Sequence, residues 1–376
     1  MRNIKWKHYI NYIVIGLLLI VFTVLSFTGV LGRGDLVNLE KIAISIMLAV
    51  SLSLVVGFLG ELSLGHAGFM CVGAYLGGKT AAVLAPMMGG DSDLLVLLIS
   101  LLVGGVCAGI CGFIIGLPAL RLKGDYLAIT TLAFGEIVRV IFLNTSEESF
   151  GGTMGLDTPR FDRKYFFIIC FVMVLLTLFV IQNLIRSKHG RAITAIRDNE
   201  IAAKATGINV TKYKLVGFIV AAVFAGLAGV LFSYTQSTVR SSPTFDYNYS
   251  IEILVMVVLG GMGNINGAII AATLITYLNT ELATILTGDL AVLKDLVYAL
   301  ILIVIVIYNN APALASFREK YSLSKLFKHK HKKNKDRDDT GRWDVVPTKI
   351  KMDAILSTDV VVNNYEPDKP KEDKHE

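Results

Sequence analysis

The sequence predicts an all-α fold, a polytopic transmembrane helical bundle of about 8–10 spans. Three observations predict it. Hydrophobic residues make up 54% of the 376 residues and charged residues only 18%, whereas soluble domains average roughly 45–50% and 25%. The apolar residues gather in long runs separated by short polar stretches, which is the pattern of several membrane-spanning helices. Many of the 34 glycines lie within those runs, as they do in helices that pack closely in lipid.

Ten apolar segments follow one another along the chain. They lie at 9–31, 39–59, 63–86, 94–117, 125–143, 165–185, 214–235, 250–262, 265–286 and 291–309. The eighth is short, because a full crossing takes about 20 residues. The first follows three basic residues, as the core of a signal peptide does, but it is too long for one and no small-residue cleavage site follows it. We therefore expect it to be a retained first helix.

Basic residues predict the orientation of the bundle. The N-terminus is basic, and a second basic cluster, KLFKHKHKKNKDR, lies at 325–337. Because Lys and Arg concentrate on the cytoplasmic side, both termini are predicted to be cytoplasmic. That orientation requires an even number of crossings, either ten, or eight if two segments are re-entrant. The resulting topology puts 187–214 in the cytoplasm and 144–164 outside.

Composition predicts two regions, a transmembrane domain at 1–317 and a charged cytoplasmic tail at 318–376. Residues 318–335 carry eight Lys or Arg and one acid, and 336–376 carry seven against eleven acids. Few aromatic residues and no sustained periodicity predict that this tail is disordered. Its basic half could lie on anionic membrane lipid, or it could only fix the orientation of the chain.

The segment GAYLGGKT at 73–80 matches the phosphate-binding pattern G-x-x-x-x-G-K-[ST]. That loop works where it follows a buried strand and opens a helix, whereas the flanking residues here are apolar and helical in pattern. We therefore predict no nucleotide site. Lys79 is expected to extend towards the outer surface, and the alternative is that it faces an aqueous cavity between helices.

Catalytic motifs are absent from the sequence. It has no H-E-x-x-H, no G-x-S-x-G and no cluster of His and carboxylates at metal spacing. All four cysteines lie in apolar runs and are predicted to be free, buried thiols; they are Cys71, Cys107, Cys111 and Cys170. We expect no enzyme activity, no bound metal, no cofactor and no nucleic-acid partner.

Two glycine-rich segments interrupt apolar stretches near membrane depth: GELSLGHAG at 60–68 and GGMGNINGA at 260–268. Irregular backbone at that depth is tolerated only within protein or beside water, and paired interruptions in the two halves of a chain indicate a transport pathway. Ordinary turns between packed helices are the alternative. The candidate pathway residues are Gly65, His66, Gly68, Gly260, Gly261, Gly263 and Asn264.

A few polar side chains lie at the edges of these spans. His66 could titrate in a cavity, but a hydrogen bond to a neighbouring carbonyl is the preferred interpretation. Glu61 is a further charge at a span edge. Glu136 and Arg139 are three residues apart on one predicted helix, and we expect them to form a local ion pair.

The polar segment 187–214 contains six Lys or Arg and predicts two short helices, at 191–197 and 199–206. Asp198 is expected to cap the second helix, with Glu200 in its first turn and Gly207 as a left-handed stop. Its narrow apolar face carries Ile201, Ala202 and Ala205. A helix this short is marginal alone in water, so it needs a surface, either a groove on a cytoplasmic partner or the cytoplasmic face of the chain itself.

Six sequence blocks, in order, resemble the permease subunits of bacterial ABC importers for branched-chain amino acids, specifically the LivM-type partner of a two-permease pair. They are LSLGHAGFMCVGAY (62–75), LPALRLKGDYLAITTLAFGEIVR (117–139), GGTMGL (151–156), GRAITAIRDNEIAAKATGINVTKYKL (190–215), AGLAGVLF (225–232) and VLGGMGNINGA (258–268). The similarity runs through about 39–310, and the tail after about residue 320 is longer than the family pattern.

The resemblance implies a multi-pass permease in the bacterial cytoplasmic membrane. Its implied partners are a second, LivH-type permease subunit, two cytoplasmic ATPase subunits that use the ATP, and an external substrate-binding protein. It also implies that the segment matching 190–207 is the loop that contacts the ATPase. The residues assigned to that loop are Gly190, Arg191, Arg197, Asp198, Ala202, Ala203 and Gly207.

The alternatives to this function are a permease for another solute, an ion-coupled transporter and a scaffolding membrane protein. A permease of a related importer for urea or short amides has a similar sequence. An ion-coupled secondary transporter would need carboxylates at mid-helix, and the acids here lie mostly at predicted span ends. A structural or scaffolding membrane protein would not explain the interrupted segments or the polar loop.

Overall fold

The structure is a computed structural model that describes residues 10–285, apart from 31, 89–92, 123, 237 and 242–243, together with 296–297, 299–300 and 303. Residue contacts separate Met1–Ala311 from Pro312–Glu376. The second unit lies outside the described residues, and so does the predicted boundary between 317 and 318. The tail therefore stays a prediction.

Helices make up most of the described chain. They are α1 (Ile10–Phe27), α2 (Arg33–Ser53), α3 (His66–Met88), α4 (Asp93–Ala119), α5 (Asp125–Leu143), α6 (Glu147–Phe150), α7 (Arg163–Arg186), α8 (Lys188–Asp198), α9 (Glu200–Ala205), α10 (Val210–Thr235), α11 (Tyr247–Gly260) and α12 (Ile265–Ile285). A π-helical segment, Leu54–Leu59, continues α2.

Seven of these helices, counted within the described residues, are long and apolar enough to cross a membrane. They are α2 with its π-helical continuation, α3, α4, α5, α7, α10 and α12. Two shorter apolar helices, Ile15–Phe27 and Tyr247–Gly260, accompany them. These nine correspond to the first nine predicted segments, whereas the tenth, 291–309, lies mostly outside the described residues. The predicted polytopic helical bundle is confirmed, while its orientation stays a prediction.

The centre of the bundle is built from α3, α4 and α10, which pack closely because glycines face one another. A Cβ added at Gly73 of α3 would lie 2.5 Å from the Cα of Gly226 in α10, and one at Gly112 of α4 would lie 2.6 Å from the Cβ of Ala222. Small residues allow this approach of helix backbones in lipid. The pattern GAYLGGKT therefore lies within a helix, as predicted, where its first glycine forms part of a helix interface.

A short antiparallel pair of strands departs from the all-α prediction. Strand β1 (Leu156–Asp157) pairs with β2 (Thr238–Val239), with Leu156 opposite Val239. Both strands lie in connections between helices, where backbone groups have no helical partner and pair with each other instead. Thr158 supports the pairing, because its hydroxyl donates to the carbonyl of Ser233 at 2.6 Å.

Candidate coupling and pathway site

Two short helices, α8 and α9, follow α7, and we call them the docking segment after their predicted role. Ser187 caps α8, since its hydroxyl accepts from the amides of His189 and Gly190. Gly190 is buried in the turn, where a Cβ would collide with the backbone of Leu184 and Ile185. The segment ends as predicted at Gly207, which adopts a left-handed φ of +83°.

The prediction that Asp198 caps α9 is wrong. Asn199 is the cap, and its Oδ1 accepts from the amide of Ala202 at 3.0 Å. Asn199 has extended backbone and lies between the two helices. This is the usual conformation of an N-cap residue, whose side chain accepts a hydrogen bond from an amide in the first turn of the helix. Asp198 instead completes α8, and its carboxylate accepts from Arg197 Nη2 at 2.9 Å.

The apolar face predicted on α9 points away from the rest of the chain. Ile201 is 81% exposed, and Ala202 and Ala205 are also exposed. The inward apolar contact of this helix is made by Ala203, which packs with Ile196 and Val210. Within the described residues, the face of Ile201, Ala202 and Ala205 is therefore not docked on the chain itself, and a partner groove stays a prediction.

The first interrupted segment, 54–65, begins earlier than its glycine pattern suggested. The π-helical turn opens at Leu54 inside an apolar run, and it ends at Gly60 with a left-handed φ of +78°. Glu61 then starts an irregular stretch that leads to His66, the first residue of α3. Local π-helical turns of this kind recur at functional sites.

The second interrupted segment, 260–264, turns the chain from α11 into α12. Gly261 and Gly263 adopt left-handed φ values of +89° and +80°. Asn264 helps to start α12, because its Oδ1 accepts from the amide of Gly267 at 3.3 Å. Gly260 lies directly against the backbone of Gly267, so a side chain there would collide with it.

The two interrupted segments meet beside Arg197. A Cβ at Gly57 would lie 2.9 Å from the Cα of Gly263, and Arg197 Nη1 donates to the carbonyl of Gly57 at 3.0 Å. A cleft of about 490 Å³ opens here, lined by Val56, Gly57, Gly60, Leu62, Arg197 and Met262. The structure therefore brings predicted pathway and loop residues together at one place.

The other predicted pathway residues lie in a packed layer between helices. A Cβ at Gly65 would lie 2.6 Å from the carbonyl oxygen of Thr131 in α5, and one at Gly68 would lie 2.6 Å from the Cα of Gly135. His66 is 2% exposed. These three contribute to tight helix contacts, and their role in a pathway stays a prediction.

The hydrogen bond of His66 differs from the one predicted. Its Nε2 lies 2.8 Å from the hydroxyl of Ser51, not at a carbonyl. Because that hydroxyl already donates to the carbonyl of Leu48 at 2.9 Å, its oxygen accepts, and Nε2 is assigned the hydrogen. His66 thereby joins the start of α3 to α2.

Lys214 was not identified from the sequence as a functional residue. It lies in the second turn of α10, and its side chain is only 5% exposed. Nζ forms an ion pair with Glu61 of the first interrupted segment and a second with Glu200 of α9 at 3.3 Å. The available signal was a pair of lysines, Lys212 and Lys214, within the first turns of an apolar span, but the contact with Glu61 joins positions 153 residues apart.

The other charged residues with a predicted contact are Lys79, Glu136 and Arg139, and the structure gives the partners of each. Lys79 extends out of α3, and its Nζ donates to the carbonyl of Glu148 at 3.1 Å. This contact agrees with an extended side chain reaching 144–164. Arg139 and Glu136 form the predicted ion pair at 2.8 Å, and Glu136 also accepts from the amide of Tyr247 at 2.9 Å.

Cysteines and possible metal ligands add no further site in the described part of the chain. Cys71 and Cys170 are free and buried, while Cys107 and Cys111 are free and only partly buried. Among the described residues, no group of three His, Cys, Asp or Glu side chains is arranged to hold a metal ion.

Sequence comparisons identify relatives of the chain. It is 35% identical over 290 residues to the high-affinity branched-chain amino acid transport system permease protein LivM of Salmonella typhimurium, an alignment that covers 69% of this chain and 66% of that protein. It is 37% identical over 275 residues to the protein of the same name from Escherichia coli strain K12, with 65% and 62% covered. The chain thus spans less than two thirds of the length of either relative.

A more distant relative is the ribose import permease protein RbsC of Escherichia coli strain K12, which is 26% identical over 298 residues, covering 72% of this chain and 84% of that protein. No solved structure matches the chain. The sequence model of the family described as "Branched-chain amino acid transport system / permease component" matches residues 36–306. That match covers more than half of the chain. Its seven long apolar helices make the chain a multi-pass membrane protein. The chain belongs to this family of transport permeases, which is not an enzyme family.

Proposed function

We propose that the chain is the membrane-spanning permease subunit of a bacterial ABC importer, which translocates branched-chain, hydrophobic amino acids across the cytoplasmic membrane. The observation that carries the proposal is the family match over 36–306, together with relatives named for this transport. ATP is hydrolysed by partner subunits, and the chain itself binds no nucleotide or other cofactor.

The partners we propose are a second permease of the LivH type, two cytoplasmic ATPase subunits and an external substrate-binding protein. The exposed apolar face of α9 supports an ATPase contact. Ala202 and Ala205 have small side chains next to the 81%-exposed Ile201. A short helix with an apolar face needs a surface to dock on, and small residues allow it to enter a groove.

The proposed orientation follows from that contact. ATP is available in the cytoplasm, so α8 and α9 must lie there, with both termini on the same side and 144–164 outside. Motion of the ATPase would then push α9, and α9 would move the spans that bound the pathway. The chain acts as a conduit that supplies no chemistry of its own.

A second candidate substrate class is urea or short amides. The ribose relative supports keeping it, because permeases with similar sequences carry chemically different solutes. In such importers we expect the external binding protein to select the solute. Competition of labelled leucine uptake by unlabelled amino acids, urea and acetamide separates the two: suppression by urea or acetamide, and not by isoleucine or valine, would contradict the proposed substrate.

Substitutions that place a large side chain on α9 test the ATPase contact. Ala202→Trp and Ala205→Trp should prevent recovery of the ATPase with the affinity-tagged chain and abolish leucine uptake, because a groove that accepts alanine has no room for an indole. Ala202→Ser, which keeps the side chain small, is the matched control and should behave like the wild type. Membrane insertion is checked by the amount of chain extracted from membranes.

The result that would contradict the proposal is normal ATPase recovery and normal uptake in both tryptophan variants. In that case α9 would be a surface helix without a partner.

A further inference from the structure

We propose that Arg197 and Lys214 are positioning residues that join the docking segment to both interrupted segments, so that a displacement of α9 moves the two segments together. The inference rests on the proposed function, because it describes how a push on α9 reaches the transport pathway. The two cations contact different residues, Arg197 at Gly57 and Lys214 at Glu61 and Glu200.

Arg197 contacts both interrupted segments with one side chain. Its Nη1 donates to the carbonyl of Gly57 at 3.0 Å in the first segment, and it lies 3.4 Å from where a Cβ of Gly263 would stand in the second. The aliphatic part of the side chain covers Gly60, where a Cβ would be 2.7 Å from Arg197 Cγ. The absence of side chains at these three glycines makes the space that Arg197 fills.

The shape of the guanidinium suits this position. While Nη1 holds the Gly57 carbonyl, Nε and Nη2 donate to Asp198 Oδ1 at 3.1 and 2.9 Å. Arginine presents several donors in a rigid, planar fork, whereas lysine has a single ammonium. Arg197 therefore connects α8 to the π-helical turn at a fixed distance, which a lysine would not do.

Lys214 makes the second connection through charge. Its ammonium group is almost completely buried between Glu61, which is 12% exposed in the first interrupted segment, and Glu200, which is 23% exposed at the start of α9. Separating a buried cation from a carboxylate leaves an uncompensated charge, which is strongly unfavourable. Glu61 and Glu200 are therefore held at the same cation and are displaced together.

Lys204 provides an internal comparison. It also pairs with Glu200, at 3.4 Å, and it lies in the same helix as Glu200. Its side chain is 63% exposed, and that ion pair stays within α9. An exposed pair of this kind contributes little, so Lys204 has the charge of Lys214 without its connection to the first interrupted segment.

The Arg197 connection ends at a cleft, and the Lys214 connection ends beside it, because Glu61 lies between Gly60 and Leu62, which line that cleft. Arg197, Gly57 and Gly60 line one part of it, and Met262, between the two left-handed glycines of the second segment, lines another. A displacement of α9 that carried Glu61 and Gly57 with it would change the access of solvent to Met262, which is 68% exposed. Met262 is therefore a suitable reporter position.

The experiment uses the affinity-tagged full chain, with its four cysteines replaced and Met262→Cys introduced, purified with its own partners from native membranes. The rate of maleimide labelling at position 262 is measured without nucleotide and with ATP plus vanadate, in fractions that contain the ATPase. The variants are Arg197→Gln, Arg197→Lys, Lys214→Gln and, as the matched control, Lys212→Gln, which changes an exposed lysine of α10 outside the docking segment.

We expect nucleotide to change the labelling rate in the reporter chain and in Lys212→Gln. In Arg197→Gln and Lys214→Gln that change should shrink by about 2- to 30-fold, the range over which substitutions between coupled sites alter coupling. In Arg197→Lys the nucleotide-dependent change should shrink as much as in Arg197→Gln, because lysine keeps the positive charge but lacks the planar set of donors. A purely structural role would lower the amount of assembled complex without altering the ratio of the two rates.

Lys214→Gln leaves Glu61 buried without its cation, so it could fail to insert. The double variant Lys214→Gln with Glu61→Gln removes both charges and keeps the test open, and it should also lose the response to nucleotide. A response equal to that of Lys212→Gln in Arg197→Gln and in this double variant would overturn the inference while the proposed function stands. Purification of the reporter chain without any ATPase would instead refute the proposed function.

Discussion

Gly73→Ala tests how closely α3 and α10 pack. The Cβ that this change adds would lie 2.5 Å from the Cα of Gly226 and 2.6 Å from its carbonyl carbon. Carbon atoms in contact are about 3.5–4.0 Å apart, so the two helices must separate by about 1.0–1.5 Å at this crossing. The obstacle is backbone, which cannot move away by changing a rotamer.

The magnitude follows from two opposing effects. Overpacking a closely packed contact costs about 1–3 kcal/mol, and a backbone obstacle places Gly73→Ala in the upper half of that range. Alanine in place of glycine within a helix restores about 0.5–1 kcal/mol. The net expectation is a destabilisation of about 1–2.5 kcal/mol.

The control is Gly16→Ala in α1, where an added Cβ meets no atom within 4 Å. Thermal denaturation of both purified variants in detergent gives the comparison. Gly73→Ala should lower the apparent melting temperature by a few degrees, since 1 kcal/mol corresponds to about 2–4 °C in domains of 150–250 residues, and Gly16→Ala should not lower it. Equal melting temperatures for Gly73→Ala and the wild type would refute the close crossing.

Two further predictions concern topology and the phosphate-loop pattern. With Asn199→Cys as the single cysteine, a probe that cannot cross the membrane should leave intact cells unlabelled and should label the chain after permeabilisation, whereas labelling of intact cells would reverse the orientation. The purified chain should bind no ATP, and Lys79→Ala should leave ATP hydrolysis by the assembled complex within about threefold, because Lys79 contributes one exposed hydrogen bond to a carbonyl, worth about 1 kcal/mol. If the purified chain bound ATP and Lys79→Ala abolished that binding, the nucleotide-site interpretation would be restored.

Hydropathy predicted the helices because it depends on residues close together in sequence. The predicted segment 125–143 coincides with α5, and 265–286 ends one residue beyond α12. The start of the first interrupted segment was not predicted, because hydropathy reports only local composition. The π-helical turn at Leu54 lies in the run LVVGFL, where an α-helix and a π-helix have the same apolar composition.

The candidate site was predicted only in part, because its defining contacts join distant positions. The sequence identified α9, Gly207 and the two glycine segments, all of which depend on local pattern. It did not indicate that Arg197 reaches Gly57, 140 residues earlier, or that Lys214 holds Glu61. Asp198 and Asn199 show the same limit at short range, since both residue types favour helix caps and only the backbone decides between them.

Glycine has two separate uses in this chain, and they explain how a glycine pattern that matches a phosphate-binding loop can lie within a helix. In α3, Gly73 has ordinary helical backbone and is small because Gly226 lies against it. In the interrupted segments, Gly60 and Gly263 adopt left-handed φ values that side chains disfavour. The flanks separate the two uses: apolar residues continue on both sides of Gly73, whereas polar residues follow Gly60 and Gly263.

This difference bears on how the chain would move. Helices that meet through glycine without left-handed turns, such as α3 and α10, pack into a block that resists deformation. Left-handed turns mark the places where the chain can change direction between helices, and in this chain they stand beside Arg197. If α9 is pushed as we propose, the displacement should be taken up at Gly60 and Gly263 and not within the α3, α4 and α10 block, so that those turns would be the moving parts of the proposed conduit.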